Sequence, residues 1–203
     1  EDTLQPQQVE RDRLSEPKLA QALLGGQVEE RLLGGEVYRY HNQRGYIQFH
    51  ADGTFQGEFV SGAFPLDGAD PRNYSVEILK KLNFQGEILE VTGEEDGAAE
   101  TTVLLRQSWN GSPLFDRQVT LTYRGGDLVS MSGGRRLMGT PQPDESRQTL
   151  EVPTALIRFY HGLTAMGDVC SRIDSITQGY VATNYSPGST SLVPVWQGAT
   201  DTG

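Results

Sequence analysis

Residues 107–131 read QSWNGSPLFDRQVTLTYRGGDLVSM, and their pattern decides the fold. Asn110-Gly111 and Gly125-Gly126 are dipeptides that supply the positive φ angles of tight hairpin turns, and each sits between alternating apolar and polar residues. The stretch therefore predicts a strand, a turn, a second strand, a turn and a third strand. Alternation of this kind suits an antiparallel sheet with one covered face and one wet face. Upstream, GEILEVTG and TTVLLRQSW extend the same pattern across an acidic turn, EEDGAAE. Before them, Asp70-Pro71 is a helix start: the carboxylate accepts from free amides of the first turn, and Pro71 has no amide to leave unpaired. Val76, Leu79 and Leu82, with Ile78 at the margin, give that helix one apolar face. A helix followed by a four-stranded meander is the expected unit.

On the N-terminal side, EVYRYHNQRGYIQFHADGTFQGEFV predicts a three-stranded meander with turns at Asn42–Gly45 and Asp52-Gly53. Residues 1–16 are polar with little periodicity and predict a tail or a frayed helix. Leu19, Leu23, Val28 and Leu32 then fit one or two short helices broken at Gly25-Gly26 and ended by Gly34-Gly35. On the C-terminal side, GTPQPDESRQT is polar and carries two prolines, as a linker does. Pro153 opens a second helix with Ala155, Leu156, Phe159, Tyr160 and Leu163 on one stripe. Strands around CSRIDSITQGYVAT and LVPVWQGA follow, joined by YSPGSTS. A turn signal at Asp201-Thr202-Gly203 predicts a further partner strand beyond this sequence. The expected class is α+β, helices packed on antiparallel β-meanders in two related subdomains. The boundaries are 1–35, a polar stalk and short helices; 36–138, a first subdomain; 139–150, a linker; and 151–203, a helix-plus-strands subdomain.

The chain has 203 residues and a formal charge of −10. That balance disfavours partners rich in phosphate, such as nucleic acid, because the scattered Lys and Arg offer no neutralising patch; Arg135-Arg136 is the only adjacent arginine pair. No apolar run approaches the roughly 20 residues that span a bilayer. Membrane attachment is expected only through an anchor outside this sequence, since the opening polar segment resembles the stalk after one. The single Cys170 forms no internal disulfide and reads as a small buried side chain.

No reaction announces itself. His41, His50 and His161 are the only histidines, on separate elements and without a paired ligand spacing, so neither a metal nor another cofactor is expected. Neither SWNGS nor MSGG matches a nucleophile elbow. Cys170 with His161 is a conceivable nucleophilic pair with nothing to place it in reach. The carboxylates of GEEDG, residues 93–97, read as a solvated cluster with a casual calcium site as the alternative. The glycine pairs end helices or make turns instead of cradling phosphate. No catalytic residue is assigned, and the chain is expected not to be an enzyme.

With these residues in view, VLLRQSWNGSPLFDRQVTLTYRGGDLVSMSG at 103–133 resembles the YycH/YycI group, extracytoplasmic regulators of WalK-type sensor histidine kinases in Gram-positive bacteria. The helix at 153–163, the IDSITQGYVA strand and LVPVWQGATDTG reinforce the resemblance, which covers residues 71–203; related modules occur in PepSY-type domains. The resemblance implies a regulatory or protein-interaction domain of a two-component system on the outer face of the bacterial membrane, anchored in the full-length protein. Its implied partner is a membrane sensor histidine kinase or a paralogous regulator, with a dimer also compatible. The expected contact residues are Arg106, Trp109, Arg117, Tyr123 and Trp196, because arginines and aromatics supply most contact energy at a desolvated interface. A small-ligand-binding lipoprotein domain of the envelope is the second reading, which a cavity with convergent polar groups would favour.

Overall fold

The hairpin of residues 107–131 stands at the centre of the molecule. The computed structural model describes residues 4–93, 99–146 and 173–200, together with the helical positions Thr154, Ile157, Arg158, His161 and Gly162. Strand β1 is Gln7–Glu10 and helix α1 Glu16–Leu24, followed by strands β2 (Glu29–Leu32), β3 (Tyr38–Asn42), β4 (Gly45–Phe49) and β5 (Thr54–Phe59). Helix α2 is Pro71–Lys80, and strands β6 (Gly86–Thr92), β7 (Thr101–Trp109), β8 (Ser112–Arg124) and β9 (Asp127–Arg135) follow it. The short β10 (Gln142–Pro143), β11 (Ile173–Ser186) and β12 (Ser189–Thr200) complete the described strands.

Both expected turns form, with positive φ at Asn110, Gly111, Gly125 and Gly126. Strand β8 is the hub. Strand β7 pairs with it from Thr101↔Tyr123 to Trp109↔Ser112, occupying one edge. The other edge is shared: β9 takes residues 120–124, and β11 meets it in parallel at Tyr180↔Leu114. Beyond β9 the order runs β5-β4-β3-β2, and beyond β11 it runs β12-β1-β10, with β6 flanking β7. Between the two pairings on β8, the Asp116 carboxylate accepts the Ala182 amide at 3.0 Å, standing in for a ladder bond where the strands part.

The larger core lies where α1 and α2 cover the sheet. Ser15 and Pro17 precede and open α1, Gly25 ends it at φ 73°, and its Leu19, Leu23 and Leu24 are buried. In α2, Asp70 accepts the Arg72 amide at 2.8 Å, as its sequence predicts, and Ile78 and Leu79 face inward. Phe49, Phe55, Phe84, Val119 and Leu121 meet them in one cluster. Each fully buried side chain of this kind contributes roughly 2 kcal/mol relative to exposure. A smaller cluster of Val9, Leu114, Leu137, Tyr180 and Leu192 joins β1, β11 and β12 to the hub.

This architecture overturns the expected α+β class of helices packed on meanders in two related subdomains. The protein is mostly β, with two short helices described end to end and twelve strands in one mixed sheet. The difference lies in segments too short or too polar to show a period. Residues 7–10, expected in a tail or a frayed helix, pair with β12 and β10 although only Val9 is buried. Residues 29–32, expected in a helix, form an edge strand on β3 with all four residues exposed. Gln142 and Pro143, expected in a linker, pair with β1. The expected meanders over 36–60 and 86–135 form as two antiparallel runs joined by β5–β9 pairing. Pro194 falls on the part of β12 that, among the described residues, pairs only with β11, where a missing amide costs no ladder bond.

Candidate functional site

A cleft of about 430 Å³ opens beside the Asn110-Gly111 turn. Its walls come from the start of α1, the segment after α2, the end of β7 and residues 136–140. Leu19 of the larger core and Trp109 and Leu137 of the smaller cluster all line it, so the cleft lies where the two apolar clusters approach each other.

Gln107 fixes the floor. The β7–β8 ladder is irregular between Arg106 and Ser108, and the Gln107 side chain is buried there. Its Nε2 donates to the Asn83 carbonyl at 3.3 Å, while its Oε1 accepts the Leu137 amide at 2.9 Å. Ser108 adds a bond from its amide to the Gln85 carbonyl at 2.7 Å. The loop after α2 and the segment after β9 are thereby clamped to one strand.

Arg136 supplies the charge. Its amide donates to the Gly53 carbonyl at 3.0 Å, which holds the backbone as β9 ends. The side chain is only 4% exposed; its guanidinium lies over Phe49 at 4.6 Å from the ring centroid, and Nη1 donates to the Leu137 carbonyl at 2.8 Å. No carboxylate of a described residue forms an ion pair with it within 4.0 Å. Burial pushes its pKa down to about 10, with the more distant Glu16 opposing that shift and Arg11 adding to it. Glu16 is itself engaged by Arg11 through two bonds of 2.7 and 3.2 Å. Lys80, at the same cleft, is paired with Glu77 at 2.6 Å. A buried arginine with unused donors, beside a polar cleft, can hold the negative group of a ligand.

Of the expected contact residues, Trp109 alone lines this cleft. Arg106 lies on β7, paired with Glu87 at 2.5 Å and over Phe115 at 5.2 Å. Trp196 is half-buried on β12, opposite Gln178. Arg117 and Tyr123 are corrected: both are interior. Arg117 is 1% exposed, bonded to Asp116 at 3.1 Å, and burial, opposed by Asp116, lowers its pKa. The Tyr123 hydroxyl bonds Ser75 Oγ at 2.6 Å beneath α2. Both side chains are buried in the folded chain.

Sequence reading missed Gln107 and Arg136 as site residues. Gln107 stands in the quoted motif, but its alternation resembles that of any strand; Arg136 was visible only as half of an arginine pair, which carries no sign of burial. Among the described residues no group of three His, Cys, Asp or Glu could hold a metal ion. His41 lies 3.4 Å from Glu29, and His50 Nε2 is 2.8 Å from Gln48. Cys170 and residues 94–97 of the acidic turn lie outside the described residues.

No protein-family model matches the chain, and no curated protein matches it. Solved structures do. A protein from Eubacterium rectale ATCC 33656, described as uncharacterized, superposes with a TM-score of 0.54 at 12% identity, covering 95% of this chain and 76% of the other. The likeness extends to the fold alone. The Bacillus megaterium YpeB C-terminal domain aligns over 95% of this chain and 89% of its own, at 13% identity and a TM-score of 0.37, too low for any argument from it. Nothing in these comparisons points to the YycH/YycI group in particular.

Proposed function

We propose that this chain is a non-catalytic recognition domain of the bacterial cell envelope whose binding site is the cleft around Gln107, Trp109 and Arg136. The observation that carries the reading is a cavity of about 430 Å³ beside a buried cation without an ion-pair partner among the described residues. A cavity of this size suits a small molecule, and its largely polar wall, with apolar patches at Leu19, Trp109, Leu137 and Met138, gives a bound molecule orientation. Trp109 lines the cleft, and Trp196 does not. Fluorescence of a Trp196→Phe variant therefore reports on the site. Screening small anionic and neutral compounds against that variant, with calorimetry on the hits, tests the proposal. Saturable quenching of Trp109 with a matching saturable calorimetric isotherm supports it; a screen in which nothing perturbs Trp109 contradicts it.

A second reading, regulation of a sensor histidine kinase through protein contact on the outer membrane face, is favoured by the exposed edge at β2. All of Glu29–Leu32 is exposed, with Leu32 at 58% and the adjacent Leu33 at 42%. Such an edge offers unpaired amides and carbonyls to another chain. Among the described residues no helix is long and apolar enough to cross a membrane, so attachment in this reading depends on an anchor outside them. The Leu33 amide bonds the Val37 carbonyl, so by antiparallel alternation the amide of Leu32 faces away from β3; replacing Leu32 by Pro would spare the β2–β3 ladder and block pairing at the edge. Unchanged capture of the kinase ectodomain by that variant would count against the edge as the contact.

A further inference from the structure

We infer that the cleft takes a small organic monocarboxylate, with the carboxylate on Arg136 and a flat apolar body beside Trp109. The inference rests on the small-ligand reading above and adds the ligand's chemistry.

Burying a guanidinium is costly unless a negative group or several acceptors meet it. Here one ring face, Phe49, and one carbonyl, Leu137, are in contact, and Arg136 is one of the residues that line the cleft. The charges that influence it from neighbouring elements are Glu16 and Asp12, which favour its cationic form, and Arg11, which opposes it. Glu16 is occupied by Arg11, which leaves Arg136, a residue of the cleft wall, without an ion pair of its own among the described residues in a chain whose net charge is −10.

The choice of anion follows from what else lines the walls. A phosphate dianion would call for at least a second free cation, but Lys80 is tied to Glu77 at 2.6 Å and Asp12 adds negative charge at the same cleft. One fixed guanidinium matches one carboxylate, whose two oxygens fit its planar fork. Gln107 spends both ends of its amide on the protein, so it shapes the floor and recognises little. Leu19, Met138 and the half-buried Trp109 leave apolar wall for the remainder of the ligand.

Benzoate is the probe, benzamide its neutral counterpart of nearly equal shape, and inorganic phosphate the competing anion. Each is titrated against the Trp196→Phe variant by Trp109 fluorescence and by calorimetry. Benzoate is expected to bind about tenfold or more tightly than benzamide, the scale of a hydrogen bond to a charged group. Phosphate is expected to be weaker than benzoate. Arg136→Gln should remove the preference for benzoate while leaving benzamide unchanged; Arg136→Lys, which keeps the charge and loses the fork, should retain part of it. If Arg136→Gln does not fold, the benzoate-to-benzamide ratio in the otherwise unchanged protein decides. Equal binding of the two, tighter binding of phosphate, or no binding of benzoate at millimolar concentration overturns the inference. Neutral compounds binding beside Trp109 in that case would leave the recognition reading standing without its anion.

Discussion

At the scale of single residues, the buried polar groups decide how the interior holds together. Tyr123 and Ser75 are both buried and bond each other at 2.6 Å. Tyr123→Phe leaves the Ser75 hydroxyl without that partner, and equilibrium urea unfolding should show a loss of about 1 kcal/mol. The same side chain gives a pH signature. Burial raises the Tyr123 hydroxyl well above the ordinary tyrosine value, with the Ser75 bond opposing, and burial does the same at Tyr40. The unfolded chain loses these protons near pH 10 while the folded chain retains them, so stability is complete below about pH 10 and falls as pH rises beyond it. Urea midpoints measured from about pH 8 to about pH 11 should decline, less steeply in Tyr123→Phe than in the parent. Arg117 offers the opposite kind of test. Asp116 is its ion-pair partner and also holds the Ala182 amide at 3.0 Å, so Asp116→Ala should cost about 3 kcal/mol by stranding a buried cation. Asp116→Asn keeps an acceptor for Ala182 and should cost less.

At the scale of elements, two devices fix the frame around the cleft. The first is the cap of α2: Asp70→Ala should lower stability by about 1 kcal/mol, because the Arg72 amide loses its acceptor. This device was legible from Asp70-Pro71 alone. The second, the joint between β11 and β8, was not. Gly179 lies where these strands meet, and a Cβ there would stand 2.5 Å from the Pro113 carbonyl oxygen and 2.7 Å from the Phe115 ring. Backbone cannot yield to that contact without moving the strand. Gly179→Ala should therefore destabilise by about 2 kcal/mol. Its amide exchange should quicken in β11 and β12 before it does in β3, β4 and β5, which lie far along the sheet.

At the scale of the whole molecule, the legible parts of the fold were those with local pattern. Alternation over 36–60 and 101–135, with glycine and asparagine at the turns, specified the hairpins because each pairing is closed by neighbours in sequence. The assembly of those hairpins into one sheet depends on distant pairings. β1 meets β12 across most of the chain, and β8 meets β11 at a single parallel position, neither of which leaves a periodic trace. The helix-to-strand error at 29–32 has the same origin: Val28 and Leu32 fit a helical spacing, and only pairing with β3 reveals the strand. The candidate site was legible in one residue, Trp109. Gln107 and Arg136 owe their roles to segments converging from α1, α2, β7 and β9, and Arg117 and Tyr123 were misplaced because type alone does not tell an interface aromatic from a core one.

A crystal structure of the protein grown with benzoate tests carboxylate binding at Arg136. The expected result is a carboxylate within hydrogen-bond distance of the Arg136 guanidinium and a ring against Trp109. A protein carboxylate seated on Arg136 in its place, with the cleft closed and the probe excluded, would rule out ligand recognition at this cleft.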